Sequence, residues 1–316
     1  MSQLTFASLT PKKKNTIRQE QFLEEMRKIV PWMKIAKMIR PFYYSNKTGR
    51  PAYDLVLMIK IHCLQQWYNI GDLAMEEAIY DRRSFAKFLD IDLMNDRIPD
   101  ETTILNFRHL IEEKQLAERF FELINKQLEK QGLMMKKGTI VDATIIESPS
   151  STKNQDGKRD EEMSSTKKNG KWYFGMKTHI GTDMESGLIH SCAVTTAKVP
   201  DVEMMKDLLH WEEDAVLGDK GYVSQENKRW ARQNGMFWGV LDRRGPEKQL
   251  SVSQEQRNRR LSKVRAKVEH PFRIMKDLWG HRKTRYKGLK KNESQMQILC
   301  GLTNLYLARK AILQGL

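Results

Sequence analysis

Three acidic residues in this 316-residue chain stand where an acid needs a reason. Asp142 lies inside GTIVDATIIESP, a run of Ile, Val and Thr that reads as a β-strand. An ionised carboxylate in such a strand is costly unless something pairs with it. Asp219 ends the short apolar run AVLGD, beside Lys220 and Gly221. Glu269 falls in the basic stretch RLSKVRAKVEHPFRIMK. Strand ends in α/β sheets are where sites assemble. If the strands of Asp142 and Asp219 are neighbours, the two acids come close, and a packed helix brings Glu269 to the same edge. Three hard oxygen ligands suit Mg²⁺ or Mn²⁺. Two such ions about 3.5–4 Å apart can clamp an in-line phosphoryl displacement, one activating the attacking hydroxyl and the other stabilising the leaving 3′ oxygen. Each acid also has a plain reading. Asp142 can also be read as a hydrogen-bonded core Asp or a strand-end turn former, and Asp219 as an ordinary turn residue. Glu269 reads as a surface residue paired at helical spacing with Arg265 and Arg273.

The flanking charges favour the chemical reading. At 3.6 residues per turn, Arg265, Glu269 and Lys276 fall on nearly one stripe of a helix. Such a face can hold metal at its centre and phosphates on either side. Charged residues make up 30% of the chain and the formal net charge is +15, which points to a polyanionic partner, most often nucleic acid. Cations would also let carboxylates approach a phosphate that they otherwise repel. Cys63, Cys192 and Cys300 are few and far apart, with no CxxC pair. That argues against a disulfide framework or zinc knuckle and fits a reducing cytosol. MSQLTFASLTPKKKN carries no signal-peptide apolar run, and no apolar stretch is long enough to span a bilayer. No nucleophile elbow supports a Ser enzyme.

These residues need elements to position them. To about Gly132 the apolar spacing is helical: Phe22, Met26, Ile29, Val30 and Met33, then Leu55, Met58, Ile59, Cys63 and Trp67. Asp54 and Asp100 or Thr102 stand as caps before two of these helices. After Gly132 the pattern changes. A strand over 138–146 is followed by a polar stretch, 148–171, expected to be a mobile loop. KWYFGMKTHI alternates and LIHSCAVTT returns as a second strand, across the turn GTDMESG. A helix is expected from Pro200 through Trp211. Then come the strand AVLGD, a helix over 225–234, the strand MFWGVL and a long basic helix over 254–278. One more amphipathic helix spans 295–312. This order makes a mixed α/β domain, residues 133–316, after an all-helical domain, residues 1–132.

The second half resembles the catalytic domain of DDE transposases of bacterial insertion sequences, particularly the insertion-sequence-five family. The marks are VDATIIESP, WYFGMKTHIGTD, VLGDKGY and VRAKVEHPFRIMK, in that order. Arg265, Glu269 and Lys276 match the family's Tyr-x2-Arg-x3-Glu-x6-Lys pattern in register, with Ser262 at the Tyr position. GRPAYD and IPDETTILNFRHLIE resemble its helical N-terminal region. The resemblance implies an RNase H-like fold for the α/β domain, and cleavage at transposon ends followed by strand transfer. It implies Asp142, Asp219 and Glu269 as ligands of two Mg²⁺ or Mn²⁺ ions, and Arg265 and Lys276 as holders of the DNA backbone. Lys177 and His179 match a family hairpin position and are expected DNA contacts, as are Arg243 and Arg244 after MFWGVLD. PKKKN, STKKNGK and HRKTRYKGLKK are candidate phosphate contacts, and Tyr286 a candidate for stacking on a base. The expected partners are double-stranded DNA, meaning terminal inverted repeats and target, and a second copy of the chain on that DNA. The expected setting is the bacterial cytoplasm, at the nucleoid. An RNase H-like nuclease that only hydrolyses, or an inactive DNA-binding relative, would carry similar marks.

Overall fold

The structure is a computed structural model that describes residues 17–43, 51–153, 157–245 and 249–315. The stretch PKKKN and the first two residues of GRPAYD lie outside the described residues. The chain begins with α1 (Arg18–Ile29), α2 (Trp32–Ile39), α3 (Leu55–Tyr68), α4 (Asp72–Asp81), α5 (Arg83–Leu89), α6 (Glu101–Glu113) and α7 (Leu116–Lys130). The expected caps are in place. Asp54 accepts from Leu57 N at 2.9 Å, and Asp100, not Thr102, accepts from Thr103 N at 2.7 Å. Each satisfies an amide that the first helical turn leaves orphaned. The helix α3 is buried on nearly every side, from Leu55 to Trp67, and so forms the centre of the helical region.

The sheet follows: β1 (Gly138–Glu147), β2 (Ser164–Lys168), β3 (Lys171–Asp183), β4 (Ile189–Thr196), β5 (Ala215–Gly218) and β6 (Phe237–Val240), with the helix α8 (Gln225–Gln233) between the last two strands. β1 lies between β3, antiparallel, and β5, parallel. β6 continues in parallel on β5, and β4 pairs antiparallel with β3 on its far side. A hairpin-led mixed sheet with parallel crossovers is the RNase H-like arrangement expected. The period of two splits β1 between two cores. Ile140 and Ile146 face the larger core, which is continuous with the helical region, while Val141 faces a smaller one with Val216, Val240 and Tyr222. Asp142 therefore shares its face with Ile140 and Ile146. The C-terminal helix α11 (Leu289–Gln314) packs on α7, α1 and β4, tying the helices to the sheet. No described helix is long and apolar enough to cross a membrane.

Three segments differ from expectation. The polar stretch 148–171 is not all loop, because β2 pairs with the start of β3, from Ser164 with Gly175 to Lys168 with Lys171. Asn169 and Gly170 turn that hairpin with φ of 51° and 80°, the geometry an Asn-Gly pair adopts most readily. Residues 154–156 of the stretch lie outside the described residues. The helix expected from Pro200 is instead two 3₁₀ turns, Asp201–Met204 and Lys206–Leu208. They seat Met205 and Leu208 in the smaller core, after which Trp211 takes a φ of 73°. The long basic helix is irregular: α9 (Val252–Arg265), a tight 3₁₀ turn at Ala266–Val268, α10 (Glu269–Arg273) and a wide π turn at Ile274–Leu278. Pro271 supplies no amide inside this run, and π turns concentrate at functional sites.

The outer edge of β6 is closed by one side chain. Arg257 on α9 donates to Trp238 O at 2.7 Å and to Val240 O at 3.0 Å, and pairs with Asp242 at 2.9 Å. An unpaired strand edge otherwise invites pairing with another chain. Arg257→Ala is expected to lower stability by about 1–3 kcal/mol, the range for losing hydrogen bonds to a charged group. Urea unfolding measures this, and an unchanged midpoint would show that water replaces the guanidinium without loss.

Candidate active site

The parallel register of β1 and β5 brings the two aspartates together. Gly138, Thr139 and Ile140 face Ala215, Val216 and Leu217. Continuing that register by two residues sets Asp219, just past the end of β5, beside Asp142. Asp219 is fixed by its own turn, where its Oδ1 accepts from Gly221 N at 2.7 Å. Asp142 Oδ1 accepts from Ala143 N at 2.8 Å, and its Oδ2 accepts from Arg265 Nη1 at 3.1 Å. The second arm of Arg265, Nη2, lies 3.5 Å from Glu269 Oε1. The expected helical pairing of Arg265 with Glu269 is thus present, and Asp142 is joined to it across the fold.

Burial pushes the Asp142 carboxyl up to about 6, Arg265 and the Ala143 amide pull against it, and the charge of Asp219 pushes the same way as burial. The cost of enclosing the Asp142 charge is therefore not fully offset by Arg265. Among the described residues, no three His, Cys, Asp or Glu side chains close around a point as ion ligands would. The donor set still suits a hard divalent cation. It offers three carboxylates, two of them at adjoining strand positions, and the third, Glu269, has a side chain 67% exposed and free to swing.

The remaining predicted residues divide. Lys276 Nζ donates to Ile145 O at 2.8 Å and Thr144 Oγ1 at 3.0 Å, lying along the same face of β1 as Asp142. Burial, helped by Arg282 and Lys168, lowers its affinity for a proton. Arg243 and Arg244 are exposed beyond the end of β6, on the edge where β5 delivers Asp219. The hairpin residues have partners within the fold. His179 is fully buried, with Nε2 2.8 Å from Thr195 Oγ1, and burial lowers its pKa to about 4. A neutral, enclosed ring offers nothing to a phosphate. Lys177 lies on the same face of β3, opposite to that of Asp142, and its charge is already paired with Asp201 at 2.8 Å and with Val199 O at 2.7 Å. Tyr286 does not stand free to stack on a base. It is half-buried with its ring 4.5 Å from the Arg108 guanidinium.

Two other groups lie near the acids, Tyr222 and, from the candidate phosphate-contact stretch STKKNGK, Lys168. The Tyr222 ring packs on Gly218, and its hydroxyl is buried within electrostatic reach of Asp142, Asp201 and Asp219, which together with burial raise its pKa. Lys168 on β2 lowers the pKa of Asp142 from across the sheet. The adjacency of Tyr222 to Asp219 in VLGDKGY was a signal. The approach of Lys168 to Asp142 depends on the β2–β3 hairpin, which its Asn169–Gly170 turn signalled but its polar composition masked.

Comparison with known proteins bears directly on this geometry. Residues 134–305 match the family model described as the transposase DDE domain, and residues 11–110 match a transposase domain, DUF772. Solved structures similar to the chain include the piggyBac transposase synaptic complex with hairpin DNA, at 10% identity over 93% of this chain and 73% of that one, TM-score 0.47. Another is a pre-cleavage Mos1 transpososome, at 10% identity over 86% and 82% of the respective chains, TM-score 0.26. The DDE-domain match spans more than half of the chain and takes in β1, β5 and the helices that carry Arg265 and Glu269, so the protein belongs to the DDE transposase family.

Proposed function

We propose that this protein cuts DNA at the ends of an insertion sequence and joins the freed 3′ hydroxyl to target DNA, using Asp142, Asp219 and Glu269 to hold two divalent ions. The observation that carries this reading is the meeting of Asp142 and Asp219 at adjoining strand positions, with Glu269 linked to Asp142 through Arg265. When bound, Mg²⁺ or Mn²⁺ would supply activation of the attacking oxygen and charge stabilisation of the leaving one. The chain's own residues do the rest. The β1 and β5 backbones hold Asp142 and Asp219 rigidly, so little reorganisation is left for the reacting state. Arg243 and Arg244 neutralise backbone phosphates along the sheet edge. Lys276 keeps one of its three N–H donors for a phosphate while the other two brace β1. Two transposon ends must be joined, so two copies of the chain act on one DNA complex, with the helical region recognising the end sequence.

The test is incubation of a labelled transposon-end duplex and a target plasmid with Mg²⁺. Wild type should give nicked ends and joined products, and Glu269→Gln neither, with a fall of at least about a hundred-fold. Cleavage without joined products would make the protein a hydrolase only. Undiminished cleavage by Glu269→Gln would remove that residue from the metal site.

A further inference from the structure

We infer that Arg265 is a positioning residue that stands in for a metal cation, holding Asp142 and Glu269 together until divalent ions displace it. This rests on the three acids being the metal ligands, and it assigns to Arg265 a role that precedes any contact with DNA. One guanidinium spans both acids, Nη1 to Asp142 Oδ2 at 3.1 Å and Nη2 to Glu269 Oε1 at 3.5 Å. The Arg265 and Asp142 side chains are each only 18% exposed, so that end of the bridge sits inside the site, while Glu269 lies at its rim.

The geometry sets the two cations in competition. Oxygens that share a Mg²⁺ or Mn²⁺ ion lie about 2.1 Å from it, and so within about 4.2 Å of each other. The Arg265 guanidinium contacts an oxygen of each acid, and so stands in the space that an ion bound by both would occupy. An ion entering between Asp142 and Glu269 must therefore expel Arg265. The acid that moves is Glu269, whose side chain is largely exposed, while Asp142 is held by the Ala143 amide. An expelled guanidinium needs a new anion, and a DNA phosphate arriving at the same helix face provides one with matching bidentate geometry. Metal and DNA then help each other to bind, and linkage makes the help reciprocal. In the absence of DNA, Arg265 holds the ions off, so the acids are not loaded to hydrolyse stray phosphodiesters.

Mn²⁺ binding, read by electron paramagnetic resonance of the full-length protein, tests this apart from any catalysis. Without DNA, Arg265→Gln should bind Mn²⁺ about ten-fold more tightly than wild type, because a competing charge is gone. Arg265→Lys keeps the charge and should stay near wild type. In wild type, adding a transposon-end duplex should tighten Mn²⁺ binding, after subtraction of ions held by the DNA alone, and Arg265→Gln should lose that gain. A folded Arg265→Gln variant that binds Mn²⁺ no better than wild type, or a wild type whose affinity ignores DNA, overturns the inference. Failure of the underlying reading looks different: Mn²⁺ binding would be unaffected by Asp142→Asn and Glu269→Gln.

Discussion

Asp142→Asn is expected to reduce metal-dependent DNA cleavage by about three orders of magnitude, roughly 4 kcal/mol of transition-state stabilisation, while making the protein no less stable at pH 7. The loss of activity follows from removing one negative oxygen donor from a hard-cation site. The stability expectation follows from proton linkage. Burial raises the Asp142 carboxyl from 3.8 to about 6, against the pull of Arg265. A folded value above the unfolded one means that the native state binds the proton more readily. The charged group therefore costs nothing below pH 3.8, costs progressively more between pH 3.8 and 6, and carries its full cost above pH 6. A shift of two units has a ceiling of about 3 kcal/mol, and incomplete enclosure reduces this to about 1–2 kcal/mol. Asn removes that cost but also weakens the hold on Arg265, which keeps Glu269. The balance at pH 7 is neutral to stabilising. Urea unfolding of both proteins at pH 7 and pH 5 measures it: any advantage of the Asn variant should shrink at pH 5. Added Mn²⁺ together with a transposon-end duplex should raise the melting temperature of wild type more than that of the variant. An Asn variant that cleaves DNA at a wild-type rate would remove Asp142 from the chemistry. One that is several kcal/mol less stable, equally at both pH values, would make it a structural residue.

The legible parts of this fold share one property: their signals are local. Asp54 and Asp100 announce helix starts because a cap acts within three residues. β1 and β3 show in their β-branched content and alternation, and the Arg265–Glu269 pair in its spacing of four. The hairpin at Asn169–Gly170 was equally local, but the polar composition of Ser164–Lys168 outweighed it, since an edge strand with little to bury looks like a loop. The segment after Pro200 carried helix-like spacing in Val202, Met205 and Leu209. The smaller core needs Met205 and Leu208 from short 3₁₀ turns instead, a demand set by β1 and β5 and not by the segment. What no local pattern could reveal was partnership at a distance. Arg265 reaches Asp142 over 123 positions of chain. Lys177 and His179 look like free cations in the sequence, but Val199, Asp201 and Thr195 had already claimed them. Within the basic run HRKTRYKGLKK, Arg285 is engaged in the same way, donating to Ile70 O and to Asn69.

That basic run leads to the second large effect, at Arg108 in α6. Its Nη2 lies 2.9 Å from Asp72 Oδ2, its Nη1 lies 2.7 Å from Glu112 Oε1, and Tyr286 covers its face. Around this centre the segment 280–288 is stitched to the helical region, with His281 Nε2 donating to Gln66 O at 2.7 Å from a ring that burial keeps neutral. The other side of the segment extends β1, since Glu147 N donates to Arg282 O at 3.1 Å and Thr284 N to Glu147 O at 2.7 Å. The helical region and the strand that carries Asp142 are thus held together by one strap, with Arg108 beneath it. Arg108→Met leaves two largely buried carboxylates without their cation, which costs about 3–5 kcal/mol. The pH dependence has a definite sign. Burial alone would raise the Asp72 carboxyl, but the hydrogen bonds from Arg108 and Gln65 outweigh it and hold the carboxyl below its ordinary 3.8. A depressed folded value gives stability that is present above pH 3.8 and lost as pH falls through the folded value. In Arg108→Met that pull is gone, burial is left unopposed by the guanidinium, and protonation relieves the variant. The gap between wild type and variant should therefore be widest near pH 7 and should narrow toward pH 4. Asp72→Asn combined with Arg108→Met should be less damaging than the sum of the two changes, because the charge that the single variant strands is absent. A pH-independent gap, or strict additivity of the pair, would mean that Arg108 holds the strap by packing against Tyr286 and not by its charge.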